Sequence, residues 1–205
     1  MAENTIRAQA PTVAAIQEIG AALGRAAQAG DLVMLNGPLG AGKTTFTQGV
    51  ARALGVRGRV QSPTFVIAQI HRGDSLDLVH VDAYRLSSMD ELDALDLDTT
   101  LDAGVTVIEW GQGKTEVLAP QRLEIEILRP TGAGAAAQPE DLFEDAERVL
   151  IFHPYGERGA ALAQVICADP KVAQYFEPAP SDGELGEPAP SDGELGAGAA
   201  MEAGH

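Results

Sequence analysis

Eight consecutive residues, Gly37-Pro38-Leu39-Gly40-Ala41-Gly42-Lys43-Thr44, complete the spacing G-x-x-x-x-G-K-[ST]. A loop that wraps the β- and γ-phosphates of a nucleoside triphosphate must point successive backbone amides inward, and side chains there would obstruct it. Glycine at 37, 40 and 42 permits that path. Lys43 is placed to reach the β/γ-phosphate oxygens, and the Thr44 hydroxyl to enter the oxygen shell of Mg²⁺. Thr45 opens a helix whose N-terminus adds positive potential. The chain therefore reads as a nucleoside-triphosphate binder. Gly113-Lys114-Thr115 repeats the last three letters, but Ile108 stands where the first glycine belongs and Pro120 leaves no room for a long following helix, so it reads as a loop.

A phosphate loop needs carboxylates opposite it, commonly at the ends of apolar strands. Asp82 follows Leu78-Val79-His80-Val81 and Glu109 follows Val105-Thr106-Val107-Ile108. One should hold Mg²⁺ and the other orient or deprotonate the nucleophile; the residues alone leave open which does which. His80 alternates onto the face of Asp82, but no His/Cys/Glu spacing suggests zinc, and the four histidines read as ordinary.

The elements that must position these groups alternate. Thr12 to Ala29 has helical spacing and stops at Gly30-Asp31; Leu32 to Leu35 is a short buried strand before the loop, and Phe46 to Leu54 a helix ended by Gly55. Val60 to Ile70 is β-rich but broken by Pro63. Leu76 to Val81 and Val105 to Ile108 are strands, with an acidic amphipathic helix over 89–95 between them. Leu123-Glu124-Ile125-Glu126-Ile127 alternates, which predicts a half-exposed strand near an edge. The Gly/Ala-rich and then acidic stretch 131–147 reads as an inserted surface loop, Val149 to Phe152 as a strand, and Gly159 to Ile166 as a short helix. Beyond Pro170 packing signals stop. Residues 177–186 (EPAPSDGELG) recur unchanged as 187–196, a repeat too polar to build a core, so disorder is expected. The expected organisation is one α/β domain over 1–166, with a disordered acidic tail over 167–205.

Composition bounds the function. No run of 18 apolar residues occurs and the N-terminus lacks a signal pattern, which predicts a cytoplasmic protein without membrane contact. The single cysteine, Cys167, agrees with a reducing compartment. Net charge is −16, with 16 acidic against 11 basic side chains over 1–130 and 14 against 3 over 131–205. That balance opposes direct tight binding of nucleic acid, which needs clustered Lys and Arg. The N-K-x-D guanine-reading motif is missing, which disfavours a GTPase. A small-molecule kinase would share the loop but needs an arginine-bearing lid, weakly signalled by Lys114, Arg122 and Arg129; a nucleotide switch without hydrolysis would also keep Lys43 and Thr44.

The phosphate loop, then Ser62-Pro63-Thr64-Phe65, then His80-Val81-Asp82-Ala83-Tyr84-Arg85-Leu86, then Glu109-Trp110, resemble in order and spacing the bacterial TsaE (YjeE) family. That family comprises small P-loop ATPases needed for N6-threonylcarbamoyladenosine modification of tRNA, and the resemblance spans roughly residues 18 to 160. It implies a mostly parallel sheet flanked by helices, ATP cradled by residues 37–45, Mg²⁺ on Thr44 and Glu109, hydrolysis supported by Asp82, and Trp110 beside the nucleotide. Ser62 and Thr64 would lie in a switch-like loop near the γ-phosphate. It further implies binding to a TsaD–TsaB heterodimer that ATP turnover resets, with tRNA met only indirectly. Ile16 departs from the threonine many members carry near the base, and the 131–147 insertion and duplicated tail are additions.

Overall fold

A computed structural model describes residues 5–86, 91, 103–129 and 147–178. The expected helix over 89–95, the insertion over 131–147 and the duplicated tail lie almost wholly outside these residues. The described chain runs β1 (Ile6–Ala10), α1 (Val13–Ala26), β2 (Leu32–Asn36), α2 (Lys43–Leu54), β3 (Ala68–His71), β4 (Asp77–Asp82), β5 (Gly104–Glu109), β6 (Arg122–Leu128), β7 (Arg148–Tyr155) and α3 (Gly156–Ala168). The strands form one sheet in the order β1-β7-β6-β2-β5-β4-β3. The central β6, β2, β5 and β4 are mutually parallel, whereas β7 is antiparallel to β6, β1 to β7, and β3 to β4. Because β1 reverses twice, five of the seven strands point the same way.

Alternation along the buried strands divides the core. Val33, Leu35, Val105, Val107, Leu123, Ile125 and Ile127 face α1, α2 and α3, while Leu32, Met34, Val79, Val81 and Ile108 face the other way, onto Leu86 and Leu118. The α-helices α1, α2 and α3 therefore pack on one face. The seam between α1 and α2 is made of backbone: a Cβ added at Gly49 would sit 2.1 Å from the Gln17 carbonyl oxygen, and one at Gly20 2.2 Å from that of Phe46. Thr12 caps α1 by accepting from the Ala15 amide, and α2 ends in left-handed Gly55.

Three expectations need correction. β6 is interior rather than near an edge: it pairs with both β2 and β7, and Glu124 is only 8% exposed because Arg122 bridges it at 2.7 Å. Residues 60–67 form no strand; Pro63 accepts from the amides of Val66 and Ile67, and pairing starts at Ala68. Packing also continues past Ile166 and Pro170. Val172 is fully buried, the Phe176 ring lies 5.3 Å from that of Phe152, and the Glu177 amide donates to the Arg7 carbonyl at the free edge of β1. Among the described residues no helix is long and apolar enough to cross a membrane.

Candidate functional site: a glycine loop facing two strand-end carboxylates

The parallel strands bring their C-terminal ends to one edge of the sheet. β2 delivers the glycine loop, β5 delivers Glu109, and β4 delivers Asp82, registered opposite Glu109. Of the expected site residues, Leu39, Gly40, Gly42, Lys43, Thr44, Thr45, Ser62, Thr64, Asp82, Glu109 and Trp110 line one cleft of about 330 Å³. Gly37 borders a neighbouring cavity of about 460 Å³ on the side of Tyr84, Trp110 and Lys114. Ala41 is buried behind the loop, where its carbonyl accepts from Arg148 Nε at 3.2 Å.

The loop can only be built from glycine at its closest approach. Gly37 has φ +135°, and a Cβ there would lie 2.2 Å from the Ile127 carbonyl oxygen; Gly42, at φ +114°, turns directly into α2. Lys43, 5% exposed, donates to the carbonyls of Gly37 at 2.8 Å and Pro38 at 2.9 Å, and its Nζ stands 3.7 Å above the Trp110 ring centre. Burial lowers the ammonium's pKa to about 8, against the opposing pull of Glu109 and Asp82.

Thr44 Oγ1 donates to the Glu109 carboxylate, 2.9 Å from Oε1 and 3.1 Å from Oε2. That bond uses the hydroxyl proton and leaves the oxygen's lone pairs for a cation. Asp82 is tied elsewhere: Oδ2 accepts from Ser62 and Thr64, each at 2.7 Å, and Oδ1 from the Tyr84 amide. The two carboxylates thus differ in what they hold, Glu109 the first turn of α2 and Asp82 the 62–64 loop. Among the described residues, Trp110 and Ile67 are the non-glycine residues in the left-handed region, at φ 62° and 68°. Both abut these carboxylates, Trp110 by sequence and Ile67 by accepting the Asp82 amide.

Sequence reasoning passed over two contributors. His80 Nε2 lies 2.8 Å from Glu109 Oε1, and Lys114 Nζ donates to the Ala83 carbonyl at 2.8 Å, fastening the turn after Asp82. The signal for His80 was its position two residues before Asp82, on the same strand face.

Chemically the cleft suits a phosphate chain with a hard divalent cation. Loop glycines and a lysine line it, and the available cation donors, the Thr44 hydroxyl and the Glu109 carboxylate, are oxygens. Among the described residues no cluster of three or more His, Cys, Asp or Glu could cage a metal, so a cation here would complete its shell from phosphate and water.

A family model described as threonylcarbamoyl adenosine biosynthesis protein TsaE matches residues 10–135. The chain is 56% identical over 120 residues to a tRNA threonylcarbamoyladenosine biosynthesis protein TsaE of Streptomyces coelicolor, covering 57% of this chain and 81% of that protein. It is 40% identical over 139 residues to the Bacillus subtilis protein of the same name, covering 67% and 78%. The crystal structure of Bacillus subtilis YdiB superposes with a TM-score of 0.62 at 29% identity, covering 80% of this chain and 94% of that one.

Proposed function

Since this chain belongs to the TsaE family of threonylcarbamoyladenosine biosynthesis proteins, we propose that it is a Mg²⁺-dependent ATP-binding protein and ATPase serving the modification of adenosine 37 in tRNA. It acts on a TsaD–TsaB core enzyme rather than performing the transfer, and it works in the cytoplasm. The observation that carries this reading is the Thr44 hydroxyl held on Glu109 at the head of a glycine loop.

In this reading the loop amides and Lys43 bind the β- and γ-phosphates, and Thr44 and Glu109 hold the cation directly or through water. When bound, the cation would neutralise charge developing on the phosphate oxygens. Binding requires Lys43 to leave the Gly37 and Pro38 carbonyls, and its proton is retained beside the phosphates. Asp82 orients the attacking water, while Ser62 and Thr64, both bonded to it, report the γ-phosphate to the 62–67 loop. Trp110 walls the cleft and limits water access. The cleft lining holds no arginine among the described residues, so turnover is slow until a partner completes the site. The acidic chain leaves the tRNA to that partner.

The test is ATP hydrolysis with Mg²⁺ by the full chain, alone and with the TsaD–TsaB heterodimer, with Lys43→Ala as the blank. Stimulation by the heterodimer is expected. Absence of both binding and stimulation refutes the proposal.

A further inference from the structure

Resting on the nucleotide reading above, we infer that His80 is a positioning residue that fixes the Glu109 carboxylate where it meets Thr44. His80 sits in the middle of β4, fully buried, and in the parallel register of β4 with β5 it is opposite Val107, one step diagonal from Glu109 on the same face. Its Nε2 lies 2.8 Å from Glu109 Oε1, the oxygen that also receives the Thr44 hydroxyl at 2.9 Å. A hydrogen bond from Nε2 to the carboxylate uses the Nε2 proton, and Nδ1 is buried with no hydrogen-bond partner among the described residues.

The unpaired nitrogen is what makes the placement informative. A buried polar atom without a partner costs free energy, and an aliphatic residue at this position of a central strand would avoid that cost. His80 therefore weakens the core by one nitrogen while gripping Glu109 with the other. The Glu109 carboxylate hangs on three rotatable bonds, and Thr44 alone holds it from one side. With His80 on the second side, the head group cannot swing away from Thr44 without leaving two donors. Outer partners of metal-holding carboxylates act in this way, and their loss lowers metal affinity by about 10- to 100-fold.

The test is a MgCl₂ titration of the full chain saturated with ADP, followed by Trp110 emission and by melting temperature, with ADP affinity in EDTA measured separately. His80→Leu removes the donor, His80→Gln keeps an amide at the reach of Nε2, and His80→Asn keeps the amide one carbon too short. His80→Leu and His80→Asn are expected to raise the half-saturating Mg²⁺ by about 10-fold or more, with ADP affinity in EDTA changed less than about 2-fold, while His80→Gln stays within about 3-fold of the parent. Unchanged Mg²⁺ dependence in both donor-deficient variants overturns the inference, as does a His80→Gln no better than His80→Asn, a comparison that stands even if His80→Leu does not fold. Failure of the parent chain itself to bind ADP with Mg²⁺ overturns the nucleotide reading instead.

Discussion

Gly49→Ala sets two principles against each other with opposite signs. Alanine is favoured over glycine inside a helix by roughly 1 kcal/mol, so on propensity alone the substitution stabilises α2. The structure reverses the sign. The new Cβ would lie 2.1 Å from the Gln17 oxygen, 2.8 Å from its carbonyl carbon and 2.9 Å from its Cα, all backbone of α1, against a floor near 3.0 Å for real Cβ contacts. Relief requires the helices to separate by about 0.9 Å, the difference between 3.0 and 2.1 Å, and no rotamer change can supply it. Overpacking of this kind costs about 3 kcal/mol at the upper end of the usual range, leaving a net loss of about 2 kcal/mol after the propensity gain. For a domain of this size that lowers Tm by roughly 4 to 8 °C. Because α2 begins at Lys43 and Thr44, the same displacement weakens nucleotide binding. Calorimetric or circular-dichroism melts of parent and variant decide the matter. A Tm equal to or above the parent's would show that the seam yields cheaply, and that the α1–α2 backbone contact does not hold α2 in place.

Other perturbations read the site more directly. Trp110 is the single tryptophan and carries Lys43 above its ring, so Mg²⁺-ATP should change its emission, and Lys43→Ala should abolish the change; an unaltered spectrum in the parent would mean that the lysine does not move. Asp82→Ala removes the acceptor of Ser62 and Thr64 and should speed chymotrypsin cleavage after Phe65, which is 87% exposed, by several-fold, seen by mass spectrometry of timed digests; the same variant should lose ATP turnover. Retained support of tRNA modification despite that loss would favour a binding switch over an ATPase. Burial raises the Cys167 thiol to about 11, so at pH 8 its thiolate fraction, and hence its rate with a disulfide reagent, should be about 100-fold below that of a thiol of pKa 9. A rate equal to that of the denatured chain would contradict the packing of α3.

The site was legible in the sequence where chemistry restricts residue choice. Few local structures besides a phosphate loop require Gly37, Gly40 and Gly42 ahead of Lys43, and Asp82 and Glu109 stand out as carboxylates closing apolar runs. Local pattern misled where distant partners supply the missing stability. Glu124 and Glu126 gave β6 the alternation of an exposed strand, yet Arg122 neutralises Glu124 within a covered one. β1 escaped notice because Arg7 and Gln9 interrupt a short run whose apolar members, Ala8 and Ala10, are small; only pairing with β7 makes it a strand. Pro170 looked like the end of packing because the continuation rests on Val172, Tyr175 and Phe176, whose spacing announces neither a helix nor a strand. His80 was passed over for a similar reason: its partner lies 29 residues away, on the next strand.

The meeting of Glu177 with Arg7 at the β1 edge bears on how this chain can change over generations. From β1 to β5 the sheet takes four steps, about 19 Å at ordinary strand spacing, so the duplicated decapeptide is attached on the far flank from Glu109. Copying errors that add or delete a unit of this repeat leave the spacing of loop, carboxylates and helices untouched. Selection on the glycine-loop edge is thereby uncoupled from drift in repeat number, and the flank is where a fusion partner or label can be appended at least risk.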